Sequence, residues 1–189
     1  GGRDVAGIVS GAAKGEIEMV YLLGADEIDV SGLGDAFVVY QGHHGDAGAM
    51  RADVIFPGAA YTEKDATWVN TEGRVQRGRR AVFPPGQARE DWTILRALSG
   101  VMGQPLPYDN LTALRSRMEE AAPHFADVDQ VTKATWGKFG KAGKMDSAPF
   151  VSPIEDFYMT DVICRASETM AKCSAELVGP AAKATGTDG

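Results

Sequence analysis

This chain of 189 residues is poor in cysteine and histidine, and it has no long apolar run. Its two cysteines, Cys164 and Cys173, form no CxxC pair and are too few for an iron-sulfur cluster, which normally takes four ligands. On one continuous helix they would lie about 13 Å apart on opposite faces, which excludes a disulfide between them. So few thiols suit a reducing compartment. No stretch approaches the roughly 18 uninterrupted apolar residues of a membrane span, so no direct membrane insertion is expected. Basic charge is scarce early on: residues 1–73 carry 12 acids against 4 bases within a net charge of −7. An acidic first half cannot neutralise phosphates and argues against nucleic acid as a partner. No GxSxG occurs, and the glycine-rich pieces Gly32-Leu33-Gly34 and Gly42-His43-His44-Gly45 lack both GxGxxG and GxxxxGKS/T spacing. A serine triad and a nucleotide phosphate cradle are therefore unsupported. The chain opens Gly1-Gly2-Arg3 without methionine and is read as part of a longer polypeptide.

What is present is a series of short apolar runs closed by glycine or proline. Residues 18–24, 37–40 and 53–56 each read as a buried strand. Their continuous apolarity predicts a parallel sheet covered on both faces. The connections leave room only for short helices, of which 45–51 is one, and 4–14 forms another ahead of the first strand. A fourth extended piece, 67–70, leads into the turn Thr71-Glu72-Gly73, without an evident partner strand. Beyond Pro84-Pro85-Gly86, the residues Ile94, Leu95, Leu98, Val101 and Met102 share one helical face, which predicts a helix over 88–102. A second helix follows Asp109 or Asn110 as cap and stops before Pro123. The fold class expected is α/β, a partial parallel sheet with flanking helices in residues 1–105, followed by a helical and irregular tail in 106–189. That tail contains an irregular linker at 123–153 and a docking helix near 160–178, with Ile163, Ala166, Met170, Cys173 and Leu177 as its apolar stripe. The residues after Pro180 are expected to be disordered.

Few residue groups suggest chemistry. His43-His44-Gly45-Asp46 contains good metal ligands, but adjacent histidines on an extended chain point in opposite directions. The segment reads instead as a turn in which Asp46 caps a short helix, so no metal site is expected. Glu63, Asp65 and Glu72 could supply paired carboxylates, but nothing in the sequence makes them converge. The cluster Arg74, Arg77, Arg79, Arg80 and Arg89 reads as a solvated loop or a protein interface before it reads as a phosphate site.

The segments FVVYQGHHGDAGAMRADVIFPGAAYTEK, VNTEGRVQ, PPGQAREDWTILRAL and SPIEDFYMTDVICRASETMAKC resemble the C-terminal part of the large iron-sulfur subunit of respiratory complex I, the NADH:quinone oxidoreductase, in its alphaproteobacterial and mitochondrial form. That resemblance implies a domain similar to molybdopterin oxidoreductases. It also implies iron-sulfur clusters in an N-terminal region of the parent, whose cysteine ligands are missing here. Active molybdopterin enzymes show ADVxLP and then EKxGTxxNxEGRxQ on loops facing the pterin. Here the first reads Ala52-Asp53-Val54-Ile55-Phe56-Pro57. The second runs from Glu63-Lys64 through Asp65-Ala66, a departure from the family pattern, to Thr67 and on to Asn70-Thr71-Glu72-Gly73-Arg74-Val75-Gln76. The resemblance implies a vestigial pterin-type loop of Thr67, Asn70, Glu72, Gly73 and Arg74, with no catalytic residue and no cofactor held in this region. Active relatives close the cofactor under a β-barrel, whereas the chain after Gly103 offers helices and a linker. The implied role is structural, within an assembly that passes electrons from NADH toward quinone. The implied partners are other peripheral-arm subunits, on the cytoplasmic face of a bacterial inner membrane or the matrix side in mitochondria. A piece of an active, formate dehydrogenase-like molybdopterin oxidoreductase is the alternative.

Overall fold

The computed structural model describes residues 2–25 and 27–178; the expectation for the residues after Pro180 lies outside them. Helix α1 (Val5–Ala13) starts where the Asp4 side chain accepts the Gly7 amide at 2.8 Å. Three strands follow, β1 (Met19–Leu23), β2 (Phe37–Gly42) and β3 (Val54–Pro57). They form a parallel sheet in the order β1-β2-β3, with Tyr21, Val39 and Val54 in register. The short helix α2 (Ala47–Arg51) occupies the second crossover, capped by Asp46 as expected.

The core lies on one face of this sheet. Val20, Leu22, Val38 and Tyr40 pack there with Ala12, Leu33 and Ala36. The opposite face holds Met19, Leu23, Phe37 and Val54, all exposed. This corrects the expectation of strands covered on both sides, which only β2 approaches. The reason is topological. Strands added in sequential order through right-handed crossovers put every connection on the same side of the sheet. A second layer would have to come from chain outside this series.

The partner of the fourth extended piece is β5. Strands β4 (Ala66–Val69) and β5 (Val75–Gly78) form an antiparallel hairpin with Trp68 opposite Gln76. Helix α3 spans Asp91–Val101 and begins later than its apolar spacing predicts. Ala88 closes a turn back to the Pro85 carbonyl and Arg89 forms a parallel bridge instead: the Arg89 amide donates to the Pro57 carbonyl and its own carbonyl accepts from Ala59, which continues the sheet past β3. Helix α4 (Leu111–Ala121) is capped by Asn110, whose side chain accepts the Ala113 amide at 2.9 Å.

The tail is not one helix. After a turn at Phe157–Met159 come α5 (Val162–Arg165) and α6 (Glu168–Leu177), separated at Ala166 and Ser167. The Ser167 hydroxyl accepts the Met170 amide and so starts a new helix where the apolar spacing alone predicts continuation. Cys164 and Cys173 thus sit on different helices, both as free thiols. The inward residues are Val162 and Ser174, while Ile163, Ala166 and Leu177 of the anticipated stripe are exposed. Asp161, which caps α5, accepts both the Cys164 amide and the Cys164 thiol; the amide bond first and the thiol bond second hold the Asp161 carboxyl down, and the thiol bond pushes the Cys164 pKa up.

Candidate functional site

Two groups of polar residues stand out, and both involve the loops between 37 and 76. The first is the tip of the β4–β5 hairpin. Asn70 Oδ1 accepts the backbone amides of Glu72 at 3.1 Å and Arg74 at 3.0 Å. Gly73, with φ of 84°, supplies the left-handed residue that closes the turn. Arg74 reaches Glu72 Oε2 through Nη2 at 3.3 Å and the Asp129 carbonyl through Nη1 at 3.0 Å. The Asp129 amide returns a bond to the Val75 carbonyl at 2.7 Å. Asn70, Glu72, Gly73 and Arg74 are thus brought together, whereas Thr67 stays within β4 opposite Arg77.

Replacing Asn70 with Ala removes two acceptor contacts at an exposed turn and should cost about 1–2 kcal/mol of local stability. Hydrogen exchange at the Glu72 and Arg74 amides should accelerate accordingly. Unchanged exchange would show that the backbone holds the turn unaided.

The second group lies at the carboxyl ends of the parallel strands, where open α/β sheets bind ligands. Gln41 is fully buried there. It accepts from the Tyr21 hydroxyl at 2.5 Å and donates to Asp91 Oδ1 at 3.0 Å. Lys64 pairs with the other Asp91 oxygen. Burial, reinforced by the Asp91 charge, pushes the Tyr21 phenol above its ordinary value. A raised pKa means the native state holds the proton longer than the unfolded chain. The contribution is complete below about pH 10 and is lost as pH rises through the folded value. Alkaline titration followed by tyrosinate absorbance should find this phenol ionising after the exposed ones.

Beside this network a cleft of about 390 Å³ is lined by residues that include Gly42, His43, His44, Gly58, Glu63 and Gln87. Contrary to expectation, the two imidazoles do not diverge: their ring centroids are 4.9 Å apart and their Nδ1 atoms 2.7 Å apart. The chain bends after Gly42 rather than staying extended, so the alternation of a strand does not apply. Among the described residues no group of three or more His, Cys, Asp or Glu is placed to hold a metal ion.

The same loop meets the tail. Arg165 Nε donates to Asp46 Oδ2 at 2.5 Å, with both side chains 9% exposed. Sequence reasoning found Asp46 as a helix cap but missed its partner 119 positions away. Gln41, Asp91 and Lys64 were missed as well, because isolated polar residues in separate elements carry no shared spacing. Glu63, Asp65 and Glu72 do not converge: Glu63 accepts the Ala60 amide, Asp65 the Arg80 amide, and Glu72 stays at the hairpin tip. In the arginine cluster, Arg77 pairs with Glu119, Arg80 with Glu90, and Arg80 also lies over the Phe83 ring.

Residues 2–101 match the family model described as molybdopterin oxidoreductase. The chain belongs to the molybdopterin oxidoreductase family. Residues 122–173 match a second model, which describes the C-terminal region of an NADH-ubiquinone oxidoreductase subunit. A mitochondrial 78 kDa subunit of NADH-ubiquinone oxidoreductase from Candida albicans is 53% identical over 167 residues, covering 82% of this chain and 23% of that relative. A 75 kDa subunit of NADH-ubiquinone oxidoreductase from Reclinomonas americana is 48% identical over 165 residues, 86% of this chain and 24% of its own. The mitochondrial NADH dehydrogenase (ubiquinone) iron-sulfur protein 1 of Solanum tuberosum is 50% identical over 164 residues, with shares of 85% and 22%. The chain therefore spans about a quarter of the length of these relatives. The similarity to complex I subunits supports that branch of the family over the formate dehydrogenase-like alternative.

The family name implies a pterin cofactor, and the residues present fit it poorly. A phosphate-bearing anion needs cations or free amides. No Lys or Arg lines the cleft, and Glu63 does. Arg74, the cation of the pterin-type loop, is committed to the Asp129 carbonyl and the Glu72 carboxylate.

Proposed function

We propose that this region is a structural and assembly module of the large iron-sulfur subunit of respiratory complex I, and that it carries no catalytic residue and no cofactor of its own. In this reading the parent subunit passes electrons from NADH toward quinone through clusters held elsewhere in its sequence. The partners are the neighbouring peripheral-arm subunits, on the cytoplasmic face of a bacterial inner membrane or the matrix side of a mitochondrial one. Residues 1–105 supply the molybdopterin-type sheet and 106–189 the tail that braces it.

The observation that carries the reading is the Asp46–Arg165 pair. It fastens the tail, which matches the NADH-ubiquinone oxidoreductase model, onto the strand-end loop of the molybdopterin-type region. Loops at the strand ends of an active relative face a ligand, whereas here one of them is engaged by the chain's own tail. Retained loop chemistry then serves shape rather than turnover.

The test is elemental and pterin analysis of the full-length subunit purified within its complex. Iron should be present while molybdenum and pterin are absent, and α5 and α6 should resist proteolysis more strongly in the complex than in the isolated subunit. Stoichiometric molybdenum or pterin would overturn the reading.

A further inference from the structure

Residues 131–152 make no hydrogen bond to the body of the protein among the described residues, yet both flanks of the segment are anchored. On one side Asp129 is bonded to Val75 and Arg74. On the other, Asp156 accepts the Ser174 hydroxyl at 2.5 Å and Arg165 holds Asp46. Between these anchors the sequence repeats every three residues as Trp136-Gly137-Lys138, Phe139-Gly140-Lys141 and Ala142-Gly143-Lys144, then Met145. Neither an α-helix nor a strand has that period, which is why the segment reads as irregular. An extended chain with three residues per turn does have it, and would align Trp136 with Phe139 and Ala142 with Met145, while Gly140, with φ of 82°, turns the chain between the two pairs. The Trp136 and Phe139 rings already share a side, with centroids 4.8 Å apart.

The large apolar members of this repeat lie in solvent: Trp136 is 86% exposed and Met145 99%. Further along, Phe150 and Val151 are exposed too. Lys133, Lys138, Lys141 and Lys144 have no ion-pair partner among the described residues. Four lysines against Asp146 give residues 131–152 a charge of +3, so the overall −7 leaves −10 for everything else. Exposed aromatic and apolar side chains beside unpaired cations make a docking surface in composition.

We propose that residues 131–152 form a strap that docks on a different polypeptide of the assembly, on an acidic surface with apolar pockets for Trp136, Phe139 and Met145. The proposal rests on the assembly reading above and names the chemistry of one partner. A protein fits better than the other anionic surfaces. A membrane-binding basic cluster usually gathers about 4–8 cations close together, whereas the four lysines here are spread over residues 133–144 and are followed by Asp146. Nucleic acid would be repelled by the −10 carried on the rest of the chain.

The experiment uses the full-length subunit in its intact complex. Zero-length carbodiimide cross-linking should join Lys138, Lys141 or Lys144 to Asp or Glu of another polypeptide. The variant K138Q/K141Q/K144Q should lower the yield of the remaining strap cross-link, from Lys133, by about tenfold or more, because the charge attraction that seats the strap is gone. In the same complex Trp136 and Met145 should be shielded from hydroxyl-radical oxidation relative to the isolated subunit. Three results would overturn the strap: cross-links confined to this chain or to a second copy, equal oxidation in both states, or capture by phosphatidylserine vesicles without a protein cross-link. A subunit recovered in the complex with an unshielded strap defeats this proposal alone. Recovery of the subunit without partners defeats the assembly reading and the strap with it.

Discussion

Replacing Arg165 with Ala should release the tail from the strand-end loop at a cost of about 3–5 kcal/mol, because it leaves the Asp46 carboxylate buried and uncompensated. Asp46 is 7% exposed, and Arg165 comes from a helix of 4 residues, too short to hold its place by itself. The expected readout is faster amide exchange and proteolysis through Val162–Arg165 and Glu168–Leu177 in the full-length protein, with β1 and β2 unaffected. The pair variant D46N/R165M should be milder than R165A alone, since it removes both charges while the amide side chain introduced at position 46 can still cap Ala47. Equal exchange in R165A and the parent would show that the tail is held by packing at Val162 rather than by the ion pair.

The second large effect is expected at Tyr40. Its side chain is 1% exposed, belongs to the hydrophobic core and donates from its hydroxyl to the His44 carbonyl at 3.3 Å. Truncation to Ala should cost about 3–5 kcal/mol through lost contacts and an unfilled cavity. The ring also explains two glycines. A Cβ at Gly48 would sit 3.0 Å from the Tyr40 ring, and one at Gly42 would overlap the phenol oxygen. Gly42→Ala should therefore cost about 1–3 kcal/mol in the parent, as overpacking does. In the Tyr40→Ala background the same methyl enters vacated space and should be nearly neutral. A urea-unfolding cycle over the four proteins measures this coupling, and additive costs would remove Tyr40 as the reason for Gly42.

Much of the fold was legible because local chemistry fixes it. Apolar runs closed by Gly24 and by Pro57-Gly58 marked three strands, Asp46 marked a helix start that its side chain does cap, and of the two caps open for α4, Asp109 or Asn110, it is Asn110 that caps. Legibility failed where a distant partner decides. Val75–Gly78 reads Val-Gln-Arg-Gly and has no strand pattern of its own; it is a strand because β4 lies opposite. Arg89 falls within the predicted helix but lies in a sheet bridge because Pro57 and Ala59 offer it backbone groups at the sheet edge. The candidate site divides the same way. Asn70, Glu72, Gly73 and Arg74 are neighbours in sequence and could be grouped by motif, whereas Gln41 and Asp91 meet only when α3 is set against the sheet.

By itself, then, the sequence determined the family, the parallel strands with their caps, and the absence of cysteine ligands for a cluster, since each depends on residue identity or on neighbours along the chain. Only the tertiary structure decided which sheet face is covered, what Arg74 binds and where the tail fastens. Those outcomes depend on crossover handedness and on contacts such as Asp46–Arg165, which join residues 119 positions apart and leave no periodic trace between them.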